Sequence, residues 1–149
     1  MIFRPAVRRA VAVSYLTLAV FTLVSGEALH AAEDYNSLLI GTWVIAPGDP
    51  RFGVLGVRNT YSEDGTVGIV IFDTPGCETP QIMAQGFWSI DQGYLAVVLT
   101  QSSDAAVLPP GHRRIEKIVE LDGKLMIVQS EVSGQHLYRL RSENCFAVI

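Results

Sequence analysis

The chain is poor in the residues that most often carry chemistry. Of 149 residues, two are cysteine and three are histidine, and no H-x-H, C-x-x-C or H-E-x-x-H spacing occurs. A transition-metal site needs three or four ligands converging at about 2.0 to 2.3 Å, so neither a metal nor another cofactor is expected. G-x-S-x-G is also missing, and Gly53-x-x-Gly56 lacks the lysine, serine and following helix of a phosphate-cradling loop. No enzymatic activity is expected. Basic residues are scarce as well. Beyond residue 32, three arginines and Glu27 drop out of totals of 11 basic and 15 acidic residues, leaving 8 against 14. A chain this acidic, with no basic stripe, is a poor match for nucleic acid or anionic membrane surfaces. Finally, no stretch of the remaining chain keeps a 3.6-residue apolar period for long, which excludes a helical bundle.

The first 32 residues differ from the rest. Arg4, Arg8 and Arg9 precede "AVAVSYLTLAVFTLV", an apolar run too short to span a bilayer comfortably. Small residues come next, with Gly26-Glu27-Ala28 and then Ala31 and Ala32 offering cleavage sites. This reads as a signal peptide over 1–32, a secreted or periplasmic destination, and a single domain over 33–149 with no membrane span in the mature chain.

That domain is written as short β-rich runs between turn residues. Eight strands are predicted, over 38–45, 54–61, 66–73, 82–90, 94–100, 113–121, 124–130 and 135–141, and 33–37 is either a short helical lead-in or an arm. Glu63-Asp64-Gly65, Asp91-Gln92-Gly93, Asp122-Gly123 and Ser133-Gly134 supply the positive φ that tight hairpins require. Short hairpins make sequence neighbours sheet neighbours, which gives an antiparallel meander. Closing eight such strands removes the exposed edges, so an all-β, eight-stranded up-and-down barrel is expected.

"GTW" in the first strand, with Gly41 and Trp43, and Arg139 and Arg141 in the last resemble the lipocalin (calycin) superfamily. "YSEDGTV", "GFWSIDQGYL", "RRIEKIVELDGKLMIV" and "LYRLR" look like its small bacterial lipocalin-like domains. The resemblance implies that Trp43 plugs one barrel end and that an arginine of the final strand lies across it. Arg139 and Arg141, two apart, share a face and are both candidates.

A barrel of this kind implies a cavity. Ile69, Ile71, Leu95, Val97 and Leu99 alternate along their strands and are the candidate lining, although Val70, Phe72 and Val98 leave the opposite parity open. Trp88 is expected to be core or cavity wall and to report on occupancy. Strands apolar on both faces also suggest an outer cover, either a helix, the C-terminal "CFAVI" or a partner. Glu116 and Glu120 share a parity with Arg114, which points to cross-strand charge pairing on the outer face. His136 near Ser133 suggests a serine nucleophile and its base, but that serine belongs to a turn the meander needs anyway. In a secreted chain an even pair of thiols usually ends as a disulfide. Cys77 and Cys145 are therefore the expected staple, worth roughly 4 kcal/mol in the chain-entropy model, with a free buried thiol or an intermolecular bridge as the alternatives. The functional expectation is a secreted binding protein for a small apolar or amphipathic ligand. The alternative is a protein-binding module such as a protease or lysozyme inhibitor.

Overall fold

The computed structural model describes residues 35–45 and 55–142. The signal-peptide reading, the 46–54 connection and Cys145 lie outside the described residues. Eight strands follow one another in a closed antiparallel barrel: β1 (Gly41–Ile45), β2 (Gly56–Tyr61), β3 (Thr66–Phe72), β4 (Pro80–Asp91), β5 (Tyr94–Ser102), β6 (Arg113–Leu121), β7 (Leu125–Ser130) and β8 (His136–Arg141). Each pairs with its sequence neighbour, and β8 returns to β1 through Trp43↔Arg141 and Ile45↔Arg139. The expected strands are present. The chief correction is at the start, where 35–39 is a helical turn, so Leu38 and Leu39 precede the first strand rather than open it.

The turns form for the reasons their residues suggest. Gln92 and Gly93 both take positive φ (48° and 79°), which matches the right-handed twist of the β4–β5 hairpin. Carboxylates close two others. Asp122 accepts the amide hydrogens of Lys124 and Leu125 at 2.6 and 2.7 Å, and Asp64 accepts from the hydroxyl and amide of Thr66 at 2.6 and 2.9 Å. These bonds favour the ionised form, so both carboxyls sit below their ordinary value of 3.8. For Asp122 the Leu125 amide contributes most, and for Asp64 the Thr66 hydroxyl does. A folded-state pKa that is depressed gives stability that is complete above the unfolded value and lost as pH falls through the folded one. The urea midpoint should therefore be flat above about pH 5 and decline in the acid range below it. The double substitution Asp64→Asn/Asp122→Asn should shallow that decline; an unchanged acid slope would place its origin elsewhere.

Alternation along the strands decides the core. Val57 and Tyr61, Val67 and Ile69, Leu95, Val97 and Leu99, Met126 and Val128 all point inward and are buried. The parity question in β3 and β5 is thus answered in favour of the odd-numbered residues. Val70 and Val98 face outward, Val98 being exposed. The outer wall is not uniform. Val44 and Phe72 also face outward and yet are buried, with the Arg58 guanidinium 5.2 Å from the Phe72 ring centroid.

Candidate functional site

One barrel end is shut by a stack built from three segments. Trp43 is fully buried, and its indole Nε1–H donates to the Leu39 carbonyl at 2.7 Å, tying the plug to the helical turn. Arg141 then covers the ring, its guanidinium carbon 4.7 Å from the indole centroid. The same guanidinium donates to the carbonyls of Ile40, at 2.8 Å, and Leu38. It thereby satisfies acceptors that the end of a helical turn leaves open. Gly41 permits this approach: its φ is +127°, and a Cβ there would lie 2.7 Å from Arg141 Nη1. The glycine of "GTW" is thus explained by the arginine that crosses it. A cation over an indole adds about 1 to 2 kcal/mol when partly desolvated.

Arg139 has a different role from its neighbour two residues on. It is buried with Glu116 inside the barrel (0% and 1% exposed), its Nη2 lying 3.0 Å from both carboxylate oxygens. Arg114, on the strand that carries Glu116, brings Nε to 3.3 Å from Glu116 Oε2. This corrects the expectation that Glu116 and Glu120 form an outer-face pair. The β6–β7 register shifts between Ile118 and Glu120, so the parity of β6 reverses after Ile118. Glu120 and Val119 are both exposed, whereas Glu116 is enclosed. A bulge places one extra residue on a strand and re-aims the side chains beyond it. The amide of Asn59 and the hydroxyl of Tyr61, both buried, add polar groups to the same interior.

The opposite end holds a small cavity of about 70 Å³. Val57, Ile69, Ile71, Val97 and Leu99 wall it, and Leu108 closes it from the β5–β6 connection. Its two polar linings are His112, in the connection just before β6, and Arg114, near the start of β6. Four of the candidate lining residues thus meet here. Leu95, the fifth, is buried deeper in the core instead. Of the two roles expected for Trp88, core or cavity wall, the structure shows the first: it packs against the core and does not line this cavity. It sits at the plugged end, donating from Nε1 to the Ser62 carbonyl at 3.0 Å and meeting Tyr61 edge to face with ring centroids 6.0 Å apart. It borders an open surface groove with Asn36, Ser37 and Glu63. Arg114 and His112 were missed as lining because strand alternation says nothing about which end of a strand meets a void. The loop residue Leu108 carried no periodic signal at all.

Cys77 lies in the β3–β4 connection with φ 57°, its amide donating to the Thr74 carbonyl at 3.0 Å. Its sulfur packs against Gly56, where a Cβ would come within 2.8 Å of it and within 3.5 Å of Phe72 Cβ. It thus borders the buried part of the outer wall. The Ser133 hydroxyl accepts the Gln135 amide hydrogen at 3.3 Å in a turn. Among the described residues no group of three or more His, Cys, Asp or Glu could hold a metal ion, and no helix is long and apolar enough to cross a membrane.

Comparison with solved structures agrees with this geometry. A lipocalin-like protein from Bacteroides uniformis superposes with a TM-score of 0.50 at 13% identity, over 70% of this chain and 99% of its own. The fold is lipocalin-like. An uncharacterized protein from Bacteroides eggerthii aligns over the same shares at 14% identity and a TM-score of 0.47. No protein-family model matches the sequence, and no curated protein does. The lipocalin-like barrel here is thus plugged by Trp43 and Arg141 and crossed by a buried ion pair, with a small cavity at the end opposite the plug.

Proposed function

We propose that the mature chain is a secreted, non-enzymatic binding protein that takes the end of a small apolar or amphipathic molecule into the mouth of its lipocalin-like barrel. The supporting observation is the cavity itself. It lies at the end opposite the Trp43–Arg141 plug, six aliphatic side chains wall it, and two polar side chains join them, the composition of a small-molecule site. Most of the interior is filled by the barrel's own side chains, as in other small barrels, so only a short stretch of ligand enters. Secretion rests on the basic and apolar leader. The Cys77–Cys145 staple rests on the compartment and on the even number of cysteines.

A second reading is favoured by a different surface. Phe87 and Val98 face each other across β4 and β5 on the outside, with Met83 on the same wall, and Phe87 and Met83 are each 57% exposed. An apolar patch of this kind suits a protein partner.

Native mass spectrometry of protein recovered from the periplasm or medium tests the whole reading. The expected species starts between residues 27 and 33, is lighter by the two thiol hydrogens, and carries a small molecule that leaves on denaturation. A full-length mass in the membrane fraction would overturn secretion. A clean apo mass with a captured protein would move the function to the outer wall.

A further inference from the structure

We infer that the groove beside Trp88, at the plugged end, is a second binding site and that it takes a neutral saccharide, one pyranose ring lying on the indole with its hydroxyls held by Asn36, Glu63 and Ser89. This site is separate from the cavity and does not depend on it. The groove lies between the helical turn over 35–39, the β2–β3 hairpin and the last residues of β4, and measures about 570 Å³. Small-molecule sites span roughly 300 to 1,000 Å³.

The lining decides the ligand class. Trp88 is half-buried, its Nε1–H is committed to the Ser62 carbonyl at 3.0 Å and its main-chain amide donates to Gly65 at 2.8 Å. The ring is therefore held in place and offers the groove carbon surface rather than a donor. An aromatic face is electron-rich, and it attracts the polarised C–H bonds that line the flat side of a pyranose. Asn36, Glu63 and Ser89 border the same groove, are exposed, and make no side-chain hydrogen bond among the described residues. In this they differ from Asp64, Asp104 and Asp122, whose carboxylates close their own turns. An amide and a hydroxyl both donate and accept, whereas a carboxylate only accepts. Sugar hydroxyls satisfy all three. Other classes fit less well. Glu63 is the sole charged lining residue among those described, so an anion would meet a like charge. A wholly apolar ligand would desolvate that carboxylate without replacing its hydrogen bonds. An ammonium would serve Glu63 but brings no acceptor for the donors of Asn36 and Ser89.

The test is NMR titration of the protein recovered from the periplasm or medium with cellotriose and chitotriose at millimolar concentration, with sorbitol as an open-chain polyol. The chain has two tryptophans, so the two indole N–H signals report separately on the groove and on the buried plug. Either trisaccharide should shift the Trp88 signal and leave Trp43 and the methyl signals of Val97 and Leu99 in place, and sorbitol should shift none of them. Glu63→Ala should weaken the binding about tenfold, the effect of one hydrogen bond to a charged group, with the thermal midpoint unchanged. No movement of the Trp88 signal with either trisaccharide would overturn the inference and leave the cavity reading intact. Equal shifts with sorbitol would remove the stacking on which it rests. Shifts at Val97 and Leu99 in place of Trp88 would transfer the sugar to the cavity and overturn the groove as its site.

Discussion

Replacing Trp43 with alanine is expected to lower the unfolding free energy by about 3 to 5 kcal/mol, the usual cost of truncating a fully enclosed aromatic. Several contacts fail together. The indole loses its burial, its hydrogen bond to Leu39 and the guanidinium of Arg141 above it. Arg141 is thereby left to hold the carbonyls of Leu38 and Ile40 without the surface on which it rests. Urea unfolding checks the value. The helical turn over 35–39 should also lose amide protection from hydrogen exchange ahead of the barrel strands, because the plug is what ties it down. A cost below about 1 kcal/mol, outside the range for a buried tryptophan, would mean that the closed end is held by something else.

A comparable loss is expected from Glu116→Leu. The substitution strands Arg139, which is fully buried, and removes the carboxylate that Arg114 also approaches. Breaking a buried pair by deleting one partner costs roughly 3 to 5 kcal/mol, since the remaining charge stays desolvated. The double substitution Glu116→Leu/Arg139→Met should recover most of that loss, because replacing both members of a buried pair with apolar groups is often neutral or stabilising. The cycle isolates the coupling between the two residues. Near-additive losses would show that water solvates the pair and that the barrel interior is wetter than its burial indicates.

Much of the barrel was legible because its signals are local. Glycine and aspartate at four hairpins, period-two alternation and the absence of long helical periodicity point to an antiparallel meander, and closure follows from the cost of exposed edges. The G-x-W and the terminal arginines located the plug. The roles of those arginines were not legible. Arg139 and Arg141 share a face, yet one lies on Glu116 and the other on Trp43. What separates them is their height on the strand: Arg141 pairs with Trp43 at the closed end, whereas Arg139 pairs with Ile45, further toward the mouth.

The site itself was half legible. Ile69, Ile71, Val97 and Leu99 follow from alternation, and they do meet at the cavity. Trp88 obeys the same alternation and lies at the other end, beside Ser62 and Tyr61. Glu116 and Glu120 have the same parity and lie on opposite faces because the bulge after Ile118 adds one residue between them. By itself the sequence determined the strand count, the order of pairing, the plugged end and the scarcity of groups for metal or nucleophilic chemistry, since each depends on short-range pattern or composition. Only the tertiary structure decided which face of β6 holds its carboxylate, which arginine closes the barrel, and where the interior is left empty. Those depend on register and on filling a shared volume from eight strands at once, and no single stretch of chain contains that information.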